Sequence, residues 1–132
     1  MIQFKLEIVV PEGLFYSGEV NFCTLPGVNG QFQILNNHTS LISRLDIGGI
    51  KLQLKDKERV ISTSGGIVEV KDNQTSIIVE SAEWADEIDI SRAKAAKERA
   101  EQRLKSKDTI DIDRAKMALA RAFNRIKIAS KI

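Results

Sequence analysis

The chain has 132 residues, a formal net charge of +2 at pH 7 and a single cysteine. This length suits one ordinary domain, or a small domain with an appendage. The nearly balanced charge excludes the strongly basic signature of a dedicated nucleic-acid binder, so any anion site must be local. The single cysteine excludes an internal disulfide, and the apolar neighbours of Cys23 predict a buried side chain. The absence of a leader peptide and of a long apolar run predicts a chain that neither is secreted nor spans a membrane by itself.

Short apolar segments separated by turn signals fill residues 2–80, which is typical of β-strands. The first segment alternates apolar and polar side chains from Ile2 to Ile8 and stops at Pro11. Further strands are predicted at residues 20–25, 30–35, 50–54, 60–63, 66–70 and 76–80, with turns between them, including one at residues 26–27. Strands of this length, interrupted this often, predict an all-β sandwich or a flattened barrel.

The composition changes abruptly after Glu80, because the remaining residues contain no glycine and no proline. Residues 88–104 are followed by a near copy at 110–126, identical at ten of seventeen positions, which indicates a repeated helical unit. We expect helices at residues 89–105 and 111–129, with Asp89 as the first N-cap and Asp108 or Asp111 as the second. The short polar segment between them predicts an antiparallel pair.

These patterns predict an α+β chain with two domains. The first is an N-terminal all-β sandwich over residues 1–84, and the second is a C-terminal antiparallel two-helix hairpin over residues 85–132. Alanines at helical spacing would form most of the contact between the helices, namely Ala93, Ala96, Ala100, Ala115, Ala118 and Ala122. Such small side chains bury little area, so the hairpin should open readily.

Antiparallel helices would bring several arginines to one end of the hairpin. Arg121 and Arg125, near the end of the second helix, would lie beside Asp89 and Arg92 at the start of the first. Guanidinium groups beside a helix N-terminus suit a phosphate ligand, and Asp89 suits a ligand's hydroxyl groups or an arginine partner.

The alternative for these arginines is a solvated charged face. Pairs four residues apart, such as Glu101 with Lys105, would then account for the charges without a ligand. Spacing alone leaves both interpretations open.

Three segments resemble the epsilon subunit of the rotary F-type ATP synthase. Residues 30–38 read GQFQILNNH and resemble that family's G-x-L-G-I-L-P-G-H segment, and residues 64–70 read SGGIVEV and resemble its S-G-G-F-x-E-V strand. Ala82-Glu83 with Ile88-Asp89 resembles its A-E-x-x-x-x-I-D junction. The resemblance extends over nearly the whole chain. The departures are Asn36-Asn37 in place of Pro-Gly, Gln33 in place of glycine and Ser40 in place of proline.

The resemblance implies a non-catalytic rotor subunit on the cytoplasmic face of the bacterial cell membrane, as part of the F1 sector of a proton-translocating ATP synthase. The sandwich of such a subunit contacts the gamma subunit and the c-ring, and the hairpin extends toward the alpha and beta subunits to inhibit ATP hydrolysis. The membrane is then reached only through the complex. By position, the residues implied to face the c-ring or gamma are Gln31, Phe32, Ile34, His38 and Leu41.

Some bacterial members of the family, especially bacillus-like ones, also bind ATP in the folded hairpin, through an I/L-D-x-x-R-A motif and arginines of the second helix. The resemblance therefore implies an ATP-binding set of Glu83, Ile88, Asp89, Arg92, Ala93, Arg99, Arg121 and Arg125. Residues 110–115 also match the motif, which we interpret as the start of a second helix and not as a second site. We expect no cofactor. Regulatory ATP would bind without a required Mg²⁺, because guanidinium groups can offset phosphate charge and no spare carboxylate cluster is evident.

Other classes of function are disfavoured by the residues themselves. The chain has one histidine, one cysteine and no G-x-x-x-x-G-K-[ST] motif, so it shows no recognisable nucleophile, metal site or P-loop. We therefore do not expect this chain to be an enzyme. A nucleic-acid partner is not expected, because the few aromatic residues do not cluster as a stacking platform. A stand-alone ATP-sensing or partner-binding module outside the synthase is the alternative that stays open.

Overall fold

Strands form the N-terminal part of the protein and helices the C-terminal part, in a computed structural model that describes residues 2–106 and 111–130. Contacts divide the chain into two units, Met1–Trp84 and Ala85–Ile132. The strands are β1 (Phe4–Val10), β2 (Gly13–Val20), β3 (Phe22–Gly27), β4 (Gly30–Leu35), β5 (Leu41–Leu45), β6 (Gly48–Gln53), β7 (Glu58–Thr63), β8 (Gly66–Lys71), β9 (Gln74–Val79) and β10 (Ala82–Trp84). A 3-10 turn at Ala85–Glu87 precedes α1 (Ile90–Lys105) and α2 (Ile112–Ala129). This order confirms the predicted fold class.

The strands follow the order β10-β7-β6-β3-β5-β8-β9-β1-β2, and β4 pairs with β3 beside this path. All pairs are antiparallel except β1 with β9, which is parallel. Alternate side chains of the strands enter one core, as the period of two in the sequence predicts. The core side chains with no exposed surface are Leu6, Ile8, Val20, Cys23, Leu25, Ile34, Ile50, Leu52, Ile61, Val68 and Ile77.

Three strands were not predicted from the sequence, namely β2, β5 and β10. β2 lies at an end of the strand order and is largely exposed, so its sequence lacks clean alternation of apolar and polar residues. β10 has only three residues. The turn expected at residues 26–27 is wrong, because β3 continues through Gly27 and the turn follows at residues 28–29. Pro26 is tolerated there because it acts through its carbonyl, which accepts a hydrogen bond from the Asp46 amide at 2.7 Å.

Aromatic contacts join the two ends of the strand order. The Trp84 ring of β10 lies 5.2 Å from the Phe15 ring and 5.8 Å from the Tyr16 ring of β2, measured between centroids. The Arg59 guanidinium lies 3.6 Å from the Trp84 centroid, a cation–π distance. β2 and β10 are therefore held together by side chains across the closure of the sandwich.

Two aspartates cap the helices as the sequence indicated. An Asp89 carboxylate oxygen accepts a hydrogen bond from the Arg92 amide at 3.0 Å, and Asp111 accepts from the Arg114 amide at 2.9 Å. These contacts confirm Asp89 as a cap and select Asp111 for α2, because Asp111 directly precedes that helix. Asp108 lies outside the described residues.

Small side chains make up the buried interface between the helices. Ala93, Ala100, Ala115 and Ala122 are at most 3% exposed, and α1 packs against α2. α2 also contacts the 3-10 turn that precedes α1, so it runs back along α1 as the hairpin prediction requires. Within the described residues, neither helix is long and apolar enough to cross a membrane.

Candidate functional site

A tight turn at residues 35–38 carries the departure from the Pro-Gly sequence noted above. The His38 amide donates to the Leu35 carbonyl at 3.2 Å, which closes a four-residue turn. Asn37, at its third position, has a φ of 61°, a value that glycine adopts freely and that asparagine adopts more readily than most residues. The two asparagines therefore form a turn of the kind that Pro-Gly favours.

A second turn lies against this one. Asn73, between β8 and β9, accepts a hydrogen bond from the Asn37 amide at 2.7 Å through Oδ1. Its Nδ2 donates to Asn36 Oδ1 at 2.8 Å. We call Asn36, Asn37 and Asn73 the asparagine cluster; it joins two turns that are far apart in the sequence.

The residues expected to face the c-ring or gamma subunit differ in exposure. Gln31 is exposed on β4, whereas Phe32, His38 and Leu41 are half-buried. His38 Nδ1 lies 2.8 Å from the Thr39 carbonyl oxygen, so the ring is held close to its own backbone. Ile34 has no exposed surface, and its side chain belongs to the core.

An open groove of about 510 Å³ follows the turn at residues 35–38 in the chain. Its lining comes from the start of β5 and the end of β8: Ser40, Leu41, Ile42, Glu69, Val70 and Lys71. Ile42 is 71% exposed although it is a large apolar residue. The groove therefore combines exposed apolar surface with the charged residues Glu69 and Lys71.

In the hairpin, the residues predicted to bind ATP include arginines, most of them exposed, and two buried apolar residues. Arg92, Arg99 and Arg121 are exposed and Arg125 is half-buried. Ile88 is 8% exposed, and Ala93 has no exposed surface. These two residues are therefore buried, unlike the arginines.

The two predicted acidic residues have separate placements. Asp89 is exposed and uses one carboxylate oxygen as the cap of α1. Glu83 lies in β10 of the first unit, where it pairs in register with Ser62. Seven of the eight predicted residues therefore share the hairpin unit, and the eighth belongs to the sandwich.

Lys97, another cation of α1, has both an acidic and an aromatic partner. Lys97 Nζ lies 3.6 Å from Glu101 Oε1 and 4.6 Å from the centroid of the half-exposed Phe123 ring. Over the described ranges, no group of three or more histidine, cysteine, aspartate or glutamate side chains could hold a metal ion. Arg92 and the Asp89 carboxylate lie together at the start of α1, whereas Arg121 and Arg125 lie in the second half of α2.

Two features of these sites were missed in the sequence. The sequence pattern places Asn73 in a turn between two strands but does not indicate its contact with Asn37. The groove beside β5 does not follow from the sequence, because the pattern does not predict β5. The available signal was the pair Asp72-Asn73, since two residues that tolerate positive φ between alternating segments mark a tight hairpin.

Comparison with known proteins gives consistent matches to both units. Residues 3–85 match the family model "ATP synthase, Delta/Epsilon chain, beta-sandwich domain", and residues 86–130 match "ATP synthase, Delta/Epsilon chain, long alpha-helix domain". The chain belongs to the delta/epsilon family of ATP synthase chains. This membership confirms the resemblance found in the sequence.

Curated relatives in this family are named ATP synthase epsilon chain. The relative from Desulfitobacterium hafniense is 48% identical over 80% of both chains. The relative from Desulforamulus reducens is 45% identical over 78% of both chains, and that from Alkalihalophilus pseudofirmus is 40% identical over 80% of both.

Two solved structures share the fold. A chain of the Euglena gracilis mitochondrial ATP synthase, described as OSCP/F1/c-ring in rotational state 1, matches with a TM-score of 0.83 and 21% identity, over 98% of this chain and 82% of that one. A chain of the Tetrahymena thermophila mitochondrial ATP synthase, described as central stalk/cring, matches with a TM-score of 0.59 and 18% identity, over 96% and 93%.

Proposed function

We propose that this chain is the epsilon subunit of a proton-translocating ATP synthase, a non-catalytic part of the rotor. The observation that carries the proposal is the pair of consecutive family matches, residues 3–85 and 86–130, which together span nearly the whole chain. They correspond to the two units of the structure. The curated relatives share the name ATP synthase epsilon chain, which supports the same role here.

The sandwich would join the c-ring to the gamma subunit. Support comes from the exposed Gln31, the half-buried His38 and the open groove that begins at Ser40. The matched structures come from assemblies described as F1/c-ring and central stalk/cring, which is the setting that this role requires. The subunit would then lie in the F1 sector, on the cytoplasmic face of the bacterial cell membrane, and would reach the membrane only through the complex.

The hairpin would inhibit ATP hydrolysis when it opens and extends toward the alpha and beta subunits. Its interface consists of alanines, and about 0.8 kcal/mol per buried methylene leaves little stabilisation against the entropy of docking. The exposed arginines of both helices would supply attraction to acidic segments of the partners.

ATP would bind the folded hairpin and hold it closed. Arg92 and Arg121 are exposed and suited to phosphate oxygens, and Asp89 is suited to hydroxyl groups. Ligand at 100 times its dissociation constant would stabilise the closed form by about 2.7 kcal/mol, which is enough to control a weak interface.

The proposal is tested by affinity purification of the tagged chain from its native cells, followed by mass spectrometry. We expect the gamma, c, alpha and beta subunits to be recovered together. Recovery of none of them would overturn the rotor role and favour a stand-alone ATP-sensing or partner-binding module, for which the hairpin arginines are the supporting observation.

ATP binding is tested by calorimetry on the isolated chain without Mg²⁺. Arg92→Ala and Arg125→Ala should each weaken binding by about 1.5 to 3 kcal/mol, the contribution of a hydrogen bond to a charged group. Arg114→Ala is the matched control, because Arg114 follows the Asp111 cap as Arg92 follows Asp89. No heat at millimolar ATP, or an equal loss in all three variants, would leave these arginines as a protein-facing surface.

A further inference from the structure

The turn at residues 35–38 does not have a sequence that fixes its own conformation. Proline at the second position would preset φ, and glycine at the third would adopt a positive φ without steric cost. Asn36 leaves φ unrestricted, and Asn37 retains a Cβ while adopting a φ of 61°. This sequence therefore specifies the turn less strongly than Pro-Gly would, and contacts from outside the turn add to its stability.

The neighbouring turn between β8 and β9 is, in contrast, specified by its own hairpin. Lys71 pairs with Gln74, so Asp72 and Asn73 form a two-residue connection. Their φ values of 53° and 59° are those of a type I′ turn, whose twist matches the flanking strands. β8 also pairs with β5 and β9 with β1, so the hairpin that carries Asn73 is formed by two strands inside the sheet and not by a free edge.

Asn73 uses both ends of its side-chain amide on the less specified turn. Oδ1 accepts from the Asn37 N–H at 2.7 Å, at the residue with the unusual φ. Nδ2 donates to Asn36 Oδ1 at 2.8 Å. In this arrangement the carboxamide of Asn73 supplies an acceptor to Asn37 and a donor to Asn36 at the same time.

The segment between the turn and β5 is then fixed at both ends from β8. Its beginning is held by Asn73, which follows β8, and its end is held where Leu41 pairs with Val70. This short stretch contains His38 and also Ser40, which lines the open groove next to the start of β5. The conformation of the stretch depends on contacts at both ends.

We infer that Asn73 is a positioning residue for rotor binding: it holds the turn at residues 35–38 in the conformation that presents His38 and the groove to the c-ring. Asn73 acts through Asn36 and Asn37 and does not itself need to contact the partner. The inference rests on the proposed function, because that function assigns a partner to this end of the sandwich.

The test compares Asn73→Gly with the unmodified full-length chain. Glycine keeps the positive φ of the hairpin turn and removes both amide hydrogen bonds. Binding to a detergent-solubilised complex of gamma subunit and c-ring, measured by biolayer interferometry, should weaken about three- to tenfold, as expected for one or two exposed hydrogen bonds. The Asn37 amide should exchange faster with solvent in NMR, while the thermal unfolding midpoint stays close to that of the parent chain.

Two further variants separate positioning from a general effect. Asp72→Gly changes the same hairpin turn at the neighbouring positive φ but retains the asparagine cluster, so binding should be unchanged. Adding Asn36→Pro and Asn37→Gly to Asn73→Gly gives the turn residues that specify their own conformation, and this triple variant should recover most of the lost affinity.

The outcomes distinguish the inference from the function on which it rests. If the unmodified chain does not bind the rotor complex, the proposed function is overturned and this role of Asn73 with it. If the unmodified chain binds and Asn73→Gly binds equally well, the inference alone is overturned. Weakening without recovery in the triple variant would mean that Asn73 contacts the partner directly, which also contradicts a positioning role.

Discussion

The thiol of Cys23 lies in the core of the sandwich and has no exposed surface. Burial raises its pKa from 9.0 to about 12, because desolvation disfavours the thiolate more than a hydrogen bond with the backbone of Ile34 favours it. A thiol in this state is unreactive, since the thiolate is the nucleophile.

We expect Cys23 to react with a thiol reagent at pH 8 only when the sandwich unfolds. The labelling rate should therefore follow the unfolding rate as denaturant is added. Fast labelling of the native protein, at the rate of a free thiol peptide, would contradict the burial.

Because the folded pKa is raised, the contribution of this thiol to stability is complete below pH 9 and is lost as pH rises toward about 12. Cys23→Ala should reduce that loss of stability at high pH.

The contact of Arg59 with Trp84 gives a second prediction at single residues. The guanidinium lies 3.6 Å from the ring centroid, where a cation–π contact contributes about 0.5 to 1 kcal/mol. Arg59→Gln should therefore lower the free energy of unfolding by roughly this amount in urea titrations. Arg44→Gln, at an exposed position of β5, is the control and should have little effect. Equal losses in both variants would mean that net charge, and not the ring contact, determines the change.

Among the secondary-structure elements, the two helices have an interface that tolerates no added volume. Ala93 is completely buried, whereas Ala95 of the same helix is exposed. Ala93→Leu should destabilise the closed hairpin by about 1 to 3 kcal/mol through overpacking. Hydrogen exchange of the α2 amides should then become faster.

Ala95→Leu is the matched control, because it adds the same side chain to the same helix at an exposed position. It should leave exchange in α2 unchanged. Protection of α2 that is equal in both variants would show that the alanine interface does not hold the hairpin closed.

The elements that the sequence predicted well are those whose pattern is local. α1 and α2 follow capping aspartates and contain no glycine or proline, so the sequence alone predicted where they begin and end. β2 and β5 were not predicted, because their burial depends on which strands lie beside them. The asparagine cluster was missed for a related reason. Asn37 and Asn73 are 36 residues apart, and only the assembled sheet brings them together.

For the whole molecule, the two units suggest a division of roles that deletion can test. Removing residues 86–132 should leave assembly of the rotor and coupling intact, because the partner-binding residues proposed above lie in the first unit. ATP hydrolysis by the assembled enzyme should rise, since the inhibitory hairpin is absent. Both are measured on reconstituted vesicles, by ATP-driven proton pumping and by phosphate release.

The control for the deletion is the full-length chain with Ala95→Leu, which keeps both units and should retain inhibition. A deletion that prevents assembly would show that the hairpin is needed to join the rotor. A deletion with unchanged hydrolysis would show that the hairpin does not inhibit this enzyme.

The contact of Trp84 with Phe15 and Tyr16 affects the order in which the two units fold during synthesis. Strand β1 pairs with β9, and the Ser76 hydroxyl donates a hydrogen bond to the carboxylate of Glu7, which lies 69 residues earlier. Contacts so distant in sequence form slowly, because a long loop must close before they contribute. On a translating ribosome, the sandwich cannot be completed until Trp84 has left the exit tunnel. The hairpin, whose contacts are local, should then form within microseconds of its own emergence. Refolding should accordingly show a fast helical phase and a slower β-sheet phase.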